Sequence, residues 1–194
     1  MMWPDRPTWR TWQTWRRTIA GREETTALET SGCIEWTVRG SAMREEYLEF
    51  SIEQLEACTQ LYVDVFNGEP WNDRWTLPAA SQRLQDLLNT PGFFGVIVVR
   101  EQPVAFVAGC REQWPDRVVF CLKEVCVRAD LQGQGIGTRL LQHLDAELVS
   151  RLGVTSVYLA TMRDSPAEAF YRKNGYRTQE RLVLMSRRVS PRTQ

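Results

Sequence analysis

The chain has 194 residues, 43% of them hydrophobic and 25% charged, with Lys+Arg and Asp+Glu balanced at 24 each. That length suits one domain with a substantial core and is short for two. The composition excludes a disordered chain. Zero net charge argues against a general nucleic-acid binder, which needs a basic excess, and no apolar run approaches the roughly 20 residues of a membrane span.

The first 42 residues differ from the rest. "MMWPDRPTWRTWQTWRR" holds four tryptophans, and up to Arg22 there are five arginines against one aspartate. No apolar core of a secretory signal follows. Trp9, Trp12, Trp15 and Ile19 could form one stripe on a short helix that touches a membrane surface or a partner. The simpler expectation is a poorly ordered extension, with Met43 as an alternative natural start.

From Met43 the order becomes regular. "EEYLEF" alternates like a strand. Ser51, with Gln54 three residues on, reads as a capping box opening a helix. Leu55, Cys58, Leu61, Tyr62 and Val65 form that helix's apolar face. "GEPWNDRW" is a loop, and Thr76 caps a second helix with Ala80, Leu84, Leu87 and Leu88 inward, ending at "NTPG". "FFGVIVVR" and "VAFVAGCRE" read as two strands, followed by a third, long one from Val118 to Val127. A helix with Ile136, Leu140, Leu141, Leu144 and Leu148 inward stops near Gly153. "VTSVYLAT" is the next strand. Ser165, Pro166 and Glu168 open another helix, which closes at Gly175, and "RLVLMSR" is expected as a last strand. Strands in series followed by alternating helices and strands predict a mixed α/β sheet.

The chemistry-bearing stretch lies where the Val118–Val127 strand hands over to a helix: Gln132, Gly133, Gln134, Gly135, Ile136, Gly137, Thr138. Glycines at a helix N-terminus bring main-chain N–H groups close to a phosphate. A Walker A loop would need a lysine, and the dinucleotide fingerprint needs G-x-G-x-x-G with a later acid; neither is present. A tight connection with no ligand is the alternative. Five cysteines (Cys33, Cys58, Cys110, Cys121, Cys126) without ligand spacing and a single histidine, His143, predict no metal site. They agree with a reducing, cytoplasmic setting.

The spacing Gln132 to Gly137, with "KEVCV" before it, "VYLAT" after it and "AEAFYRKNGY" in the next helix, resembles the GCN5-related N-acetyltransferase (GNAT) superfamily. The resemblance covers about Met43 to Arg188. It implies residues 1–42 as an extension and 43–190 as the acetyltransferase domain. The implied fold is a single mixed, mostly antiparallel sheet, splayed between its fourth and fifth strands, with helices on both faces. The implied cofactor, strictly a co-substrate, is acetyl-CoA. It would be held by Val125, Cys126, Val127, Gln132, Gly133, Gln134, Gly135, Ile136, Gly137, Thr138 and Phe170, with its diphosphate on the loop amides.

By the same resemblance Glu124 is the general base, acting directly or through a water, and Tyr171 protonates the leaving sulfur. A main-chain N–H near Val125 meets the oxyanion. A rival path through an acetylated Cys126 needs an adjacent His⁺ or helix N-terminus. The sole histidine lies on the helix after the loop, so direct transfer is expected. Alternation also puts Cys126 on the strand face of Glu124 unless a bulge intervenes.

Asp64, Trp71, Asp73 and Trp75, in and beside the loop between the first two helices, would attract a cationic amine by charge and cation–π contact. A structural loop capping the core is the competing reading. The expected partner is a small-molecule or peptide amine, with no nucleic acid and no membrane, on a monomer or homodimer. A non-catalytic acyl-CoA-binding module of the same fold is the alternative function.

Overall fold

The computed structural model describes residues 45–189; the expectations for the tryptophan-rich extension lie outside the described residues. Five strands, β1 (Glu46–Glu49), β2 (Phe93–Val99), β3 (Pro103–Gln113), β4 (Val118–Val127) and β5 (Val154–Tyr158), form one sheet in the order β1-β2-β3-β4-β5. Neighbours from β1 to β4 are antiparallel, and β5 runs parallel to β4. The helices are α1 (Leu55–Phe66), α2 (Leu77–Leu88), α3 (Ile136–Leu152) and α4 (Pro166–Lys173).

The expected start and stop signals operate. Ser51 and Gln54 make a reciprocal capping box, on a 3-10 turn (Ile52–Gln54) that leads into α1. Thr76 accepts from the Ala79 amide to cap α2, Ser165 accepts from the Glu168 amide to cap α4, and Gly153 ends α3 at φ +62. Among the described residues no helix is long and apolar enough to cross a membrane.

Each sheet face has its own core. On one side Phe94, Val96, Val98, Val107, Phe120 and Leu122 pack with Leu140, Leu141, Leu144 and Leu148 of α3, and Phe170 and Tyr171 of α4 lean on the edge of that cluster. On the other, Ile97, Val99, Phe106 and Cys126 pack with Cys58, Leu61 and Tyr62 of α1 and Ala80 and Leu84 of α2. Burial of these side chains is the main favourable contribution to folding.

Two irregularities in β4 shape the site. Ala108 pairs with Glu124 but Gly109 pairs with Leu122, so Lys123 is an extra, bulged residue. Before the bulge Phe120 and Leu122 face the α3 core, whereas after it Cys126 faces the α1/α2 core and Val125 and Val127 face α3. The bulge therefore turns Glu124 toward α1 and α2. The bulge lies before Glu124 rather than between Glu124 and Cys126, so those two residues still share a face. Gly109 is required here, since a Cβ would press on the Cys121 carbonyl and come within 2.7 Å of the Phe120 ring.

The second irregularity is the splay. β5 pairs only with Val118–Cys121, which leaves the outer edge of β4 from Leu122 to Val127 without a strand beside it.

One expectation is corrected. The "RLVLMSR" stretch forms no strand, and Leu182, Val183, Leu184 and Met185 are 67–88% exposed. A run of strand-favouring residues needs a ladder partner. Instead a turn closed by the Leu182 amide on the Gln179 carbonyl carries the chain past β5.

Candidate active site

The glycine loop is pinned from both ends and braced from within. Leu131 (in a 3-10 turn, Ala129–Leu131) and Ile136 are buried. Gln132 Nε2 donates to the Val127 carbonyl at 3.0 Å and Gln134 Nε2 to the Asp130 carbonyl at 3.0 Å. Both glutamines thus hold the loop's shape, and the carbonyl of Val127, one of the residues expected at the coenzyme, already has a partner. Gly133 and Gly135 sit at φ +75 and +79, where side chains are strained. Arg139 on the first turn of α3 is committed to Glu45, with Nη2–Oε1 at 2.7 Å and Nε–Oε2 at 3.1 Å.

The first helical bond of α3 runs from the Arg139 amide to the Gly135 carbonyl. Among the described residues, no protein acceptor meets the main-chain N–H groups from Gly133 to Thr138. These donors stand at the positive end of a long helix. A Cβ built on Gly133 would meet nothing within 4 Å. The arrangement fits a diphosphate, which needs several donors, positive potential and close approach. Gly137 has a different reason to be small: a Cβ there would lie 3.1 Å from the Phe170 ring and 3.6 Å from Val127. That contact fixes α4 against the start of α3.

Further along β4, Glu124 is only 6% exposed. Arg83 of α2 reaches it with Nε at 2.8 Å and Nη2 at 2.5 Å, both on Oε1. Tyr62 of α1 lies beside the pair. Burial pushes the Glu124 carboxyl above the usual carboxylate range, and the Arg83 guanidinium pulls the other way without cancelling it. A base raised in this way is better matched to abstracting a proton near neutrality.

Tyr171 on α4 is half-buried, edge-on to Phe170 at 5.2 Å and to Tyr176 at 5.4 Å. Burial, with the Glu124 charge second, pushes its phenol up to about 12. It therefore keeps its proton throughout the physiological range. A cavity of about 850 Å³ opens between β5, the C-terminal part of α3 and α4, and Tyr171 forms part of its wall.

On the acceptor side the structure brings two of the four expected residues to Glu124's neighbourhood. Trp75 stands edge-on to Tyr62 at 5.2 Å, under the Arg83 guanidinium at 5.7 Å, and its Nε1–H donates to Asp73 at 3.0 Å. Trp71 reaches this group only through Phe66, at 5.8 Å. Asp64 accepts from Gln60 on the exposed side of α1. Sequence reasoning missed Arg83 and read Tyr62 as core alone. The available signal was an arginine at position 83 within the apolar Ala80–Leu84–Leu87 stripe, which calls for a buried acid opposite.

Cys126 is fully buried, donates weakly to the Leu61 carbonyl at 3.8 Å, and has its thiol pushed well up by burial. A thiolate nucleophile is disfavoured there. Among the described residues no cluster of three His, Cys, Asp or Glu could hold a metal.

A splayed mixed sheet, with unpartnered amides at the turn after its fourth strand, is the frame in which this site is built. Residues 91–178 match the acetyltransferase (GNAT) domain family. A possible acetyltransferase from Clostridium difficile 630 superposes with TM-score 0.65 at 12% identity, covering 75% of this chain and 99% of that one. An aminoglycoside acetyltransferase from an uncultured soil metagenomic sample, in complex with sisomicin, gives TM-score 0.59 at 18% identity over 75% and 97% of the two chains. A Trypanosoma brucei acetyltransferase gives 0.55 at 17% identity over 74% and 99%. These likenesses are of fold. No curated protein matches the chain.

Proposed function

We propose that this protein is an acetyl-CoA-dependent N-acetyltransferase that moves an acetyl group directly to a primary amine of a small cationic molecule or peptide. The observation that carries the reading is the run of unpartnered amides from Gly133 to Thr138, in the turn that follows the strand bearing the buried Glu124. The bound coenzyme supplies an activated acetyl thioester. The loop amides bind its diphosphate, and the outer edge of β4 around Val125 accommodates the arm that follows.

Alkyl amines arrive as ammonium ions, with pKa near 10. Glu124, raised by burial, first takes one proton and so frees the nitrogen lone pair, which bonds to the acetyl carbon; the second N–H proton leaves as the amide forms and replaces the one that Tyr171 gives up. The carbon–sulfur bond then breaks, and Tyr171 hydrogen-bonds to the departing sulfur and supplies its proton. A phenol held at about 12 stands above a free thiol at roughly 8.5. Transfer therefore relies on the same burial raising the sulfur's basicity, and on loss of the Glu124 charge once Glu124 is protonated.

Some fold neighbours are described as aminoglycoside acetyltransferases. Together with Asp73 and Trp75 beside the base, this supports a cationic small-molecule acceptor. We assign residues 43–190 to the catalytic domain, 1–42 to an extension, and the cytoplasm as its setting. The test is thermal stabilisation by acetyl-CoA followed by free-thiol release across a broad amine panel. Release with at least one amine is expected. Stabilisation without release from any amine would favour a non-catalytic acyl-CoA-binding module, and no stabilisation would defeat both readings.

A further inference from the structure

Arg83 stands where an acceptor nitrogen would have to come. Its guanidinium binds Glu124 through Nε and Nη2, both on Oε1, so one carboxylate oxygen carries the whole contact. The two partners are unequal. Glu124 is 6% exposed and fixed by a sheet strand, while the Arg83 side chain is 48% exposed at the end of a flexible stem on α2. If one of them moves, it is Arg83. The Trp75 ring already lies 5.7 Å from the guanidinium carbon, held by Tyr62 on one side and Asp73 on the other. An aromatic face of this kind is a ready alternative seat for a cation.

Resting on the acetyltransferase reading above, we infer that Arg83 is the resident cation of the acceptor subsite, holding Glu124 while no amine is bound and withdrawing onto Trp75 when the acceptor's ammonium takes its place. The groups that face Glu124 are Arg83 from α2, Tyr62 from α1, Lys123 and Cys126 from β4, and Tyr171 from α4. Of these Arg83 alone forms a contact ion pair with it. A carboxylate this deeply buried requires a cation or a proton. Two cations cannot share one oxygen at contact without strong repulsion. Exchange of one cation for another keeps the buried carboxylate paired throughout, so the cost of leaving it alone is never incurred. Arg83 is thus a positioning residue that acts through Glu124.

The experiment is NMR on protein carrying ¹³C-labelled glutamate and ¹⁵N-labelled arginine. The Glu124 carboxyl signal is assigned by its loss in Glu124→Gln, and the Arg83 Nε–H signal by its loss in Arg83→Gln. Arg83→Gln should move the Glu124 titration midpoint upward by about one unit or more, and Arg83→Lys should restore most of the difference. Addition of n-butylammonium to the wild type should shift both the Arg83 Nε–H and the Glu124 signals, whereas choline, which cannot donate a hydrogen bond to Oε1, should leave them in place.

An unmoved midpoint in both folded variants overturns Arg83's hold on the acid. An Arg83 signal that stays still under n-butylammonium overturns the displacement. Neither measurement needs turnover. Wild-type acetylation rates in Glu124→Gln would instead defeat the assignment of Glu124 as base.

Discussion

Gly133→Ala isolates the proposed ligand contact from every effect internal to the protein. At φ +75 an alanine is strained, and a left-handed non-glycine residue costs about 1 kcal/mol. The added Cβ meets nothing within 4 Å, so no steric cost joins that strain. Gly153, at the other end of α3, is a matched control with φ +62 and equally open space. Each alanine should lower the melting temperature by about 2–4 °C. The two should part company in acetyl-CoA binding. A Cβ at 133 intrudes where the diphosphate would approach the amides, and the loss of one charge-assisted hydrogen bond costs about 1.5–3 kcal/mol. Isothermal titration should then show affinity lower by about ten- to a hundredfold in Gly133→Ala and unchanged in Gly153→Ala. Equal affinities in the two variants would refute the argument that the loop amides grip the coenzyme.

Glu124→Gln should cut turnover at pH 7 while leaving acetyl-CoA affinity intact, with the deficit shrinking toward pH 10 as free amine accumulates; initial rates across pH check this. Because burial raises the Glu124 carboxyl, the acid limb of the wild-type kcat/KM profile should fall above the ordinary carboxylate range. The protonated carboxyl cannot accept the amine's proton, so activity should rise with pH through that limb as the carboxylate forms. Tyr171→Phe should lower kcat about a hundredfold with little change in KM, the low end of what general acid catalysis contributes. Gly109→Ala should destabilise the fold by about 1–3 kcal/mol, read as a lower denaturation midpoint, because its methyl must displace the Phe120 ring or the Cys121 carbonyl.

What could be read in the sequence followed from local chemistry. The caps at Ser51, Thr76 and Ser165 and the turn at Gly153 act within a few residues of themselves, so spacing was enough to place α1 to α4. The glycine loop was legible because its conformation depends on glycine at Gly133 and Gly135. The extra residue at Lys123 was not, since register exists only between two strands and β3 contributes half of it. Gln132 and Gln134 stand in the motif expected at the coenzyme; what spacing did not reveal is that their side-chain amides reach back to the Val127 and Asp130 carbonyls. Arg83 escaped notice because its partner lies 41 residues away in sequence. Residues 181–187 carry the composition of a strand, and no ladder forms for them.

The odd residue at Lys123 also separates the pleat of β4 into two phases. Deleting that one codon would leave Leu122 opposite Gly109 and Glu124 opposite Ala108, so both halves would keep their present faces while the kink between them disappeared. Absorbing Lys123 into the ladder without shortening the chain would do the opposite, carrying the acid into the aliphatic layer under α3 and valines to the pocket beside Tyr62. A lineage could therefore straighten this wall by a single in-frame deletion and still present the same proton acceptor.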